Sequence, residues 1–151
     1  MNRIHNSGVL AALAVGALFA GTAGQAEMLT FAAELTGAAG VPPTDSTATG
    51  SIEVTLDTEA KTVSWLYDHA DLSGEMTASH IHGPAAATEA AAPVIDTSAD
   101  SMADTVDMME GTSPITDEQI AELMAGMYYF NIHTEKFPDG EIRGQLVAKV
   151  E

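Results

Sequence analysis

Hydrophobic and polar residues alternate with a period of two in several short stretches of the chain. In residues 141–150, for example, Ile142, Leu146 and Val150 fall on one side, and polar residues such as Arg143 fall on the other. Such alternation is typical of a β-strand that packs one face on a core. The pattern predicts five strands of this kind, at residues 27–35, 47–56, 61–69, 128–134 and 141–150.

Less regular segments complete the predicted sheet. Three further strands are predicted at residues 75–82, 93–97 and 106–109. The alanine-rich residues 85–92 lie between Pro84 and Pro93 and are predicted to form a loop. The only tryptophan, Trp65, is expected to pack in the core. Many short strands separated by turns are typical of an all-β sandwich or barrel.

One segment has the features of a helix. Thr116 is suited to be its N-cap, and Gln119 follows three residues later, which is the spacing of a capping box. We therefore predict one short helix near residues 116–126 that ends at Gly126, with Ile115 packed against the first turn as a hydrophobic staple. The residues expected to form its apolar stripe are Ile120, Leu123, Met124 and Met127.

The first 26 residues differ in composition from the rest. A weakly positive start precedes an apolar run over residues 9–20, and Gly24-Gln25-Ala26 fits a small-residue cleavage site. The run is shorter than the roughly 20 residues of a spanning helix. We therefore expect residues 1–26 to be a signal peptide, residues 27–151 to be the mature β domain, and the protein to be periplasmic or secreted. An uncleaved membrane tether, or a neighbouring cleavage site, is the alternative.

The predicted mature chain is strongly acidic. The full sequence has 5 Lys and Arg against 22 Asp and Glu, a formal charge of −17 at pH 7. Loss of Arg3 with the signal peptide changes this charge to −18, since residues 1–26 hold no acid. Such a surface disfavours nucleic acids and anionic membranes as partners. The chain has no cysteine, which excludes disulfides, thiolate metal ligands and cysteine nucleophiles.

Three of the five histidines form the main candidate site. His80 and His82 are two residues apart, so a strand places both on one face, about 6.5–7 Å apart. If Ile81 faces the core, this pair points outward, as His133 does on its own predicted strand. The three imidazoles can then meet on one metal ion, provided that the two strands are neighbours.

Three neutral imidazoles suit copper, zinc, nickel or cobalt, and copper stands highest in the affinity order. A methionine thioether would favour Cu(I). The candidates for such a ligand are Met76, Met102, Met108 and Met109. His69 is a weaker candidate ligand, and His5 belongs to the predicted signal peptide. The alternative is that the three histidines form hydrogen bonds within the sheet and bind no metal.

Arg143 is the only arginine of the predicted mature chain. Among so many acidic residues, its expected role is an ion pair that closes a loop, with Glu141 or Asp139 as its partner. The alternative is a functional role in guiding an anion to the metal.

Short motifs occur in order along the mature chain. They are FAAELTG at residues 31–37, VPP at 41–43, ATG at 48–50, SHIHGP at 79–84, GMYYFNIHT at 126–134 and PDGEIRGQL at 138–146. Together they resemble the CHRD domain, a chordin-type domain of bacterial exported proteins. The resemblance covers nearly all of the mature chain.

This resemblance implies a Greek-key sandwich or barrel that is either immunoglobulin-like or similar to the β-barrel of Cu,Zn superoxide dismutase. His80 and His82 are similar to the paired copper ligands of that enzyme, and His133 is similar to its later copper histidine. No histidine lies between His82 and His133, where the enzyme has its bridging and zinc ligands, and the disulfide cysteines are absent. The comparison therefore implies copper without a zinc site, and it speaks against dismutase activity.

The resulting expectation is an exported copper-binding protein that stores, buffers or transfers Cu(I) or Cu(II). Its expected partners are the metal ion and a second exported copper protein. The alternative is a non-catalytic interaction or structural module whose histidines only stabilise the sheet. A single-copper redox enzyme is a third hypothesis, with no support beyond an exposed metal site.

Overall fold

The computed structural model describes residues 27–98 and 108–150. The predicted signal peptide, Met102 and the first residues of the strand predicted at 106–109 lie outside these ranges. The described residues form the helix α1 (Asp117–Met124), a 3₁₀ turn (Gly37–Ala39) and nine strands. The strands are β1 (Met28–Thr36), β2 (Thr49–Asp57), β3 (Thr62–Ala70), β4 (Met76–His82), β5 (Pro93–Asp96), β6 (Met108–Pro114), β7 (Tyr129–Thr134), β8 (Ile142–Gln145) and β9 (Val147–Ala148).

The nine strands of the described residues belong to one antiparallel sheet. Its order is β5-β4-β7-β8-β1-β2-β3-β6, and β9 pairs with β1 beside β8. The strands β1, β2 and β3 follow one another as neighbours, whereas the connections from β3 to β4, from β5 to β6 and from β6 to β7 cross the sheet. Such crossing connections are features of Greek-key sheets. The predicted all-β class with one short helix is confirmed.

The sheet curls into a nearly closed barrel around one core. Tyr67 on β3 and Phe130 on β7 meet inside it, with ring centroids 4.8 Å apart. A buried chain of hydroxyls also crosses the interior, because Tyr67 Oη and Thr97 Oγ1 each lie 2.7 Å from Ser79 Oγ. Trp65 is 4% exposed, as predicted for a core residue, and its indole Nε1 is buried without a hydrogen-bond partner among the described residues.

The helix α1 begins as the sequence predicts. Thr116 Oγ1 accepts a hydrogen bond from the backbone N–H of Gln119, and Gln119 Oε1 accepts one from the N–H of Thr116, which completes the capping box. Leu123 is buried in the core, but Met124 is 56% exposed, so its predicted place on the apolar stripe was wrong. The helix ends after two turns at Gly126 (φ +73°), and this shortness leaves Met124 beyond the core contact.

Two strand predictions need correction at their ends. The strand expected at 106–109 is observed as β6, which pairs along β3 as far as Pro114. The strand expected at 141–150 is divided at Leu146 into β8 and β9, and Leu146 keeps the register of β8, since its N–H donates to Tyr128 O and its side chain is buried. Val150 lies beyond the end of β9, is 96% exposed and does not face the core.

A buried carboxylate fixes the segment that enters β8. Glu141 is fully buried: its Oε1 accepts hydrogen bonds from Ser46 Oγ (2.6 Å) and Ser73 N (2.8 Å), and its Oε2 accepts one from Thr134 Oγ1 (2.7 Å). Burial alone would raise the pKa of Glu141, but these hydrogen bonds outweigh it and hold the pKa below its usual value. One carboxylate thus connects two loops with strand β7.

Candidate metal centre

Strands β4 and β7 are neighbours, which is the condition that the three-histidine hypothesis required. Paired residues in this ladder include Ala78 with His133, His80 with Asn131 and His82 with Tyr129. Ile81 is 1% exposed and faces the core, so the adjacent His80 and His82 point to the other side of the sheet, as predicted. His133 points to that side as well, because antiparallel partners share a face and its partner Ala78 has the parity of His80.

The imidazole nitrogens lie close enough to surround one ion. One ligand atom from each of His80, His82 and His133 lies within 4.8 Å of the other two, and His80 Nδ1 lies 3.1 Å from His133 Nε2. Metal–nitrogen bonds of about 2.0–2.1 Å place two ligand nitrogens roughly 3.3–3.6 Å apart in tetrahedral or trigonal geometry. The His80–His133 pair is near that spacing, and His82 needs a shift of roughly 1 Å.

Burial increases from one end of the cluster to the other. His80 and His133 are half-buried, whereas His82 is 6% exposed. The loop predicted at residues 85–92 covers His82, because the carbonyl of Ala91 accepts hydrogen bonds from His82 Nδ1 (2.9 Å) and from Tyr129 Oη (3.1 Å). The cluster is therefore open to solvent at His80 and His133 and covered by the loop at His82.

Hydrogen bonds to backbone carbonyls orient two of the rings. His133 Nδ1 donates to the carbonyl of Pro138 at 2.8 Å, so its Nε2 carries the lone pair and accepts from His80 Nδ1–H. His82 Nδ1 donates to the carbonyl of Ala91, and its Nε2 lies 2.9 Å from Asn131 Oδ1, so each ring nitrogen faces an acceptor and an ion at Nε2 would displace the Asn131 oxygen. Outer-shell acceptors of this kind are typical of histidines that bind metals.

Burial is the main cause that lowers the pKa of both His80 and His82. The other histidines lower the pKa of His80 further, and Asp96, its partner on β5, opposes them. For His82, hydrogen bonds to Ala91 and Asn131 oppose the effect of burial. The two rings are therefore neutral at pH 7, and the neutral imidazole is the form that binds a metal.

Tyr129 and Asn131 complete the surroundings of His82. The Tyr129 ring stacks on the imidazole with a centroid distance of 4.8 Å and an angle of 6°. Asn131 places its side-chain oxygen 2.9 Å from His82 Nε2. The Asn131 amide packs against Gly140 (φ +119°), where a Cβ would lie 2.7 Å from Asn131 Nδ2. Sequence reasoning assigned neither residue a role, although both share the parity of His133.

The sequence model of the CHRD domain matches residues 31–146, which include all three histidines of the cluster. The chain belongs to the CHRD domain family. Comparisons with curated proteins and with solved structures gave no match, so the likeness to Cu,Zn superoxide dismutase stays a prediction. CHRD domains occur in extracellular and secreted proteins. In the described part of the chain, no helix is long and apolar enough to cross a membrane.

The ion pair expected for Arg143 in this CHRD domain is wrong. Glu141 turns inward to the hydroxyls and N–H that hold it, and the described residues contain no carboxylate within ion-pair distance of Arg143. The guanidinium instead lies over the Tyr129 ring, with Cζ 3.5 Å from the ring centroid, and its Nη2 donates to the carbonyl of Ala86. Strand β8 thereby adds a cation to the stack of Tyr129 on His82.

The other proposed ligands do not join the cluster. His69 lies on β3 opposite Gly50 and is not part of the three-histidine group. A bulge in β4 separates the pairing of Met76 from that of Ala78, and Met76 packs against the core. Met109 also packs against the core, and Met108 is exposed on β6, which pairs with β3.

Proposed function

We propose that this CHRD domain binds copper through His80, His82 and His133, and that the protein stores, buffers or transfers the metal. The observation that carries the proposal is the convergence of three imidazoles from β4 and β7 on one face, with ligand nitrogens within 4.8 Å of one another. Histidines with unrelated roles on the surface would have no reason to bring their ring nitrogens together in this way.

The donor set favours copper among the metals that imidazole binds. Among the described residues, the cluster contains three histidines and no carboxylate or thiolate. Copper stands above zinc, nickel and cobalt in affinity for such nitrogen sites. Bound copper supplies a one-electron Cu(I)/Cu(II) couple, whereas storage or transfer requires only reversible binding.

The protein's own contribution is to hold the rings in a binding-competent state. The carbonyl of Pro138 fixes the tautomer of His133, the carbonyl of Ala91 orients His82, and burial lowers the pKa of His80 and His82 and so favours their neutral forms. The half-buried His80 and His133 leave one side of the cluster open to solvent, where an ion can enter and leave.

Copper titration of the metal-free mature protein tests the proposal. We expect one equivalent of Cu(II) or Cu(I) to bind, and a variant with His80, His82 and His133 all changed to alanine to bind at least 100-fold more weakly. His69→Ala is the matched control, because it removes a histidine outside the cluster, and it should bind as the parent does. Equal affinity of the triple variant and the parent would refute the site. Zn(II) binding as tight as Cu(II) binding would remove copper from the proposal.

One observation favours the alternative, a structural or interaction module. Each of the three imidazoles already has a hydrogen-bond partner in the protein, so the sheet needs no ion to hold them. A metal present at 100 times its Kd adds about 2.7 kcal/mol to the free energy of unfolding, which raises Tm by roughly 10 °C for a domain of this size. A Tm that stays the same with saturating copper supports the module.

Export to the periplasm or the exterior is part of the same proposal. It is supported by the signal-peptide composition of residues 1–26 and by the occurrence of CHRD domains in secreted proteins. Amino-terminal sequencing of the protein recovered from a bacterial periplasm should give Glu27 as the first residue. Recovery of the full-length chain in the membrane fraction would contradict this.

A further inference from the structure

A cavity of about 800 Å³ lies beside the three-histidine cluster. His82 forms part of its wall, while His80 and His133 do not line it. Its volume is within the range of roughly 300–1,000 Å³ that is usual for small-molecule sites. The apolar part of the wall consists of Val41, Pro42, Pro43, Phe137 and Pro138.

The opposite part of the wall holds a buried cation without an anion. Arg143 is 4% exposed, and the ion pairs of the described residues are Lys61 with Asp117 and Lys149 with Glu53. The chain has 22 acidic residues, yet no described one pairs with Arg143. Withdrawing a charge from water without a partner is costly, so a missing anion is expected at this position.

The guanidinium is held in a fixed orientation with free donors. It lies 3.5 Å from the Tyr129 ring centroid, and its Nη2 donates to Ala86 O (3.3 Å) and Gln145 Oε1 (3.5 Å). Its Nε and Nη1 have no hydrogen-bond partner among the described residues. They are not sealed from solvent, because Trp65 Nε1 is the only unpaired described side-chain atom that is fully buried. These N–H groups are therefore available to a ligand in the cavity.

We propose that the cavity binds a small organic carboxylate. Its carboxylate accepts hydrogen bonds from Arg143, since planar guanidinium donors suit carboxylates, and its apolar body packs on the wall formed by residues 41–43, Phe137 and Pro138. The cavity wall also holds Lys136, Asp45 and Asp139, so its charged side chains have no net charge, and the attraction for a carboxylate comes from the free donors of Arg143. The site does not require bound copper, because the carboxylate contacts Arg143 and the apolar wall, and His82 is the one histidine of the cluster that also lines the cavity.

Titration of the mature protein with benzoate tests this inference. Metal should be removed with a chelating resin, because soluble chelators such as EDTA are themselves carboxylates. We expect saturable binding in calorimetry, with NMR amide shifts concentrated at cavity residues such as Lys136 and Gly140. Arg143→Gln should weaken binding at least tenfold, as expected for loss of a charged hydrogen bond. Lys61→Gln, which removes an exposed lysine from its pair with Asp117, is the matched control and should have no effect.

Two further probes decide between ligand classes. Benzamide has nearly the shape of benzoate without its charge, and inorganic phosphate has the charge without the apolar body; both should bind at least tenfold more weakly. Benzamide binding as tight as benzoate would overturn the role of Arg143, and phosphate binding as tight would overturn the role of the apolar wall. Absence of saturable benzoate binding would overturn the proposal. If Arg143→Gln does not fold, the parent's shift map and the benzamide comparison still decide.

The test of carboxylate binding can succeed or fail independently of the test of copper binding. Benzoate binding is measured on metal-free protein, and copper binding is measured without added carboxylate. A variant with only His80 and His133 changed to alanine leaves every residue of the cavity wall in place, so it tests copper alone. Loss of benzoate binding in Arg143→Gln with unchanged copper affinity would assign the two ligands to two adjacent sites.

Discussion

Replacing Glu141 with glutamine should destabilise the fold by about 2–3 kcal/mol at pH 7. The substitution preserves the length and nearly the volume of the side chain, so it creates no cavity. It removes the charge and converts one of the two acceptor oxygens into a donor. Glu141 accepts at 2.6–2.8 Å from the hydroxyls of Ser46 and Thr134 and from the N–H of Ser73, and the Ser73 hydroxyl is a further donor.

The magnitude follows from these three contacts. A hydrogen bond to a charged group contributes about 1.5–3 kcal/mol, and a neutral one about 0.5–1.5 kcal/mol. The change to glutamine therefore costs about 1 kcal/mol per contact, or about 3 kcal/mol in total, and relief of the burial of a charge offsets part of this cost. Glutamine can keep Ser46 and Ser73 on its oxygen, while Thr134 must turn its hydroxyl to accept.

The cost should also depend on pH with a defined sign. The folded-state pKa of Glu141 is lowered below that of the unfolded chain, which is about 4.3. The stabilisation by the carboxylate is thus complete above about pH 4.3 and is lost as the pH falls through the lower folded-state pKa. Protonated Glu141 resembles glutamine, so the difference between parent and variant should shrink in acid.

Urea unfolding of both proteins between pH 7 and pH 3.5 measures this difference. Glu34→Gln is the matched control: Glu34 is exposed on β1, and its variant should stay within about 0.5 kcal/mol of the parent at pH 7. The reasoning fails if Glu141→Gln costs less than 0.5 kcal/mol at pH 7, or if its cost is the same at both ends of the pH range.

Three other substitutions test contacts described above. Thr116→Ala removes the N-cap of α1 and should cost about 1 kcal/mol in urea unfolding, and no loss would contradict a stabilising capping box. Gly140→Ala forces a side chain into a left-handed position against Asn131; we expect a loss of about 1–3 kcal/mol and a shifted Asn131 side-chain amide resonance, and an unmoved resonance would argue against that contact. Tyr67→Phe removes a buried hydroxyl partner of Ser79 and should lower stability by about 1–2 kcal/mol, whereas a neutral result would mean that water replaces it.

The alternation of side chains along the strands was the most informative part of the sequence. It predicted the all-β class, and it placed His80 and His82 outward on the condition that Ile81 faces the core, which the structure meets. The adjacency of β4 and β7 did not follow from it, because pairing partners distant in the chain are chosen by packing. The resemblance of the closing motif to the CHRD domain suggested the pairing of β4 with β7 only indirectly.

The failures arose where the backbone departs from regular geometry. The bulge in β4 turns Met76 onto the core, and the end of β9 at Ala148 leaves Val150 in solvent; a period-two pattern contains neither event. The abundance of acidic residues suggested an ion pair of Arg143 with Glu141 or Asp139. Glu141 lies just before β8, however, where the turn directs its side chain inward and strand parity no longer applies.

The 3.1 Å contact between His80 Nδ1 and His133 Nε2 has a consequence for how an ion would come and go. In the metal-free chain, a shared proton already bridges the two strands at nearly the span that a metal ion needs. Exchange of the ion for a proton therefore leaves the strands where they are, and release need not wait for the barrel to open. Such a site would release its ion on the timescale of ligand exchange and side-chain rotation. Release of this kind suits a protein that transfers a metal better than one that holds it permanently.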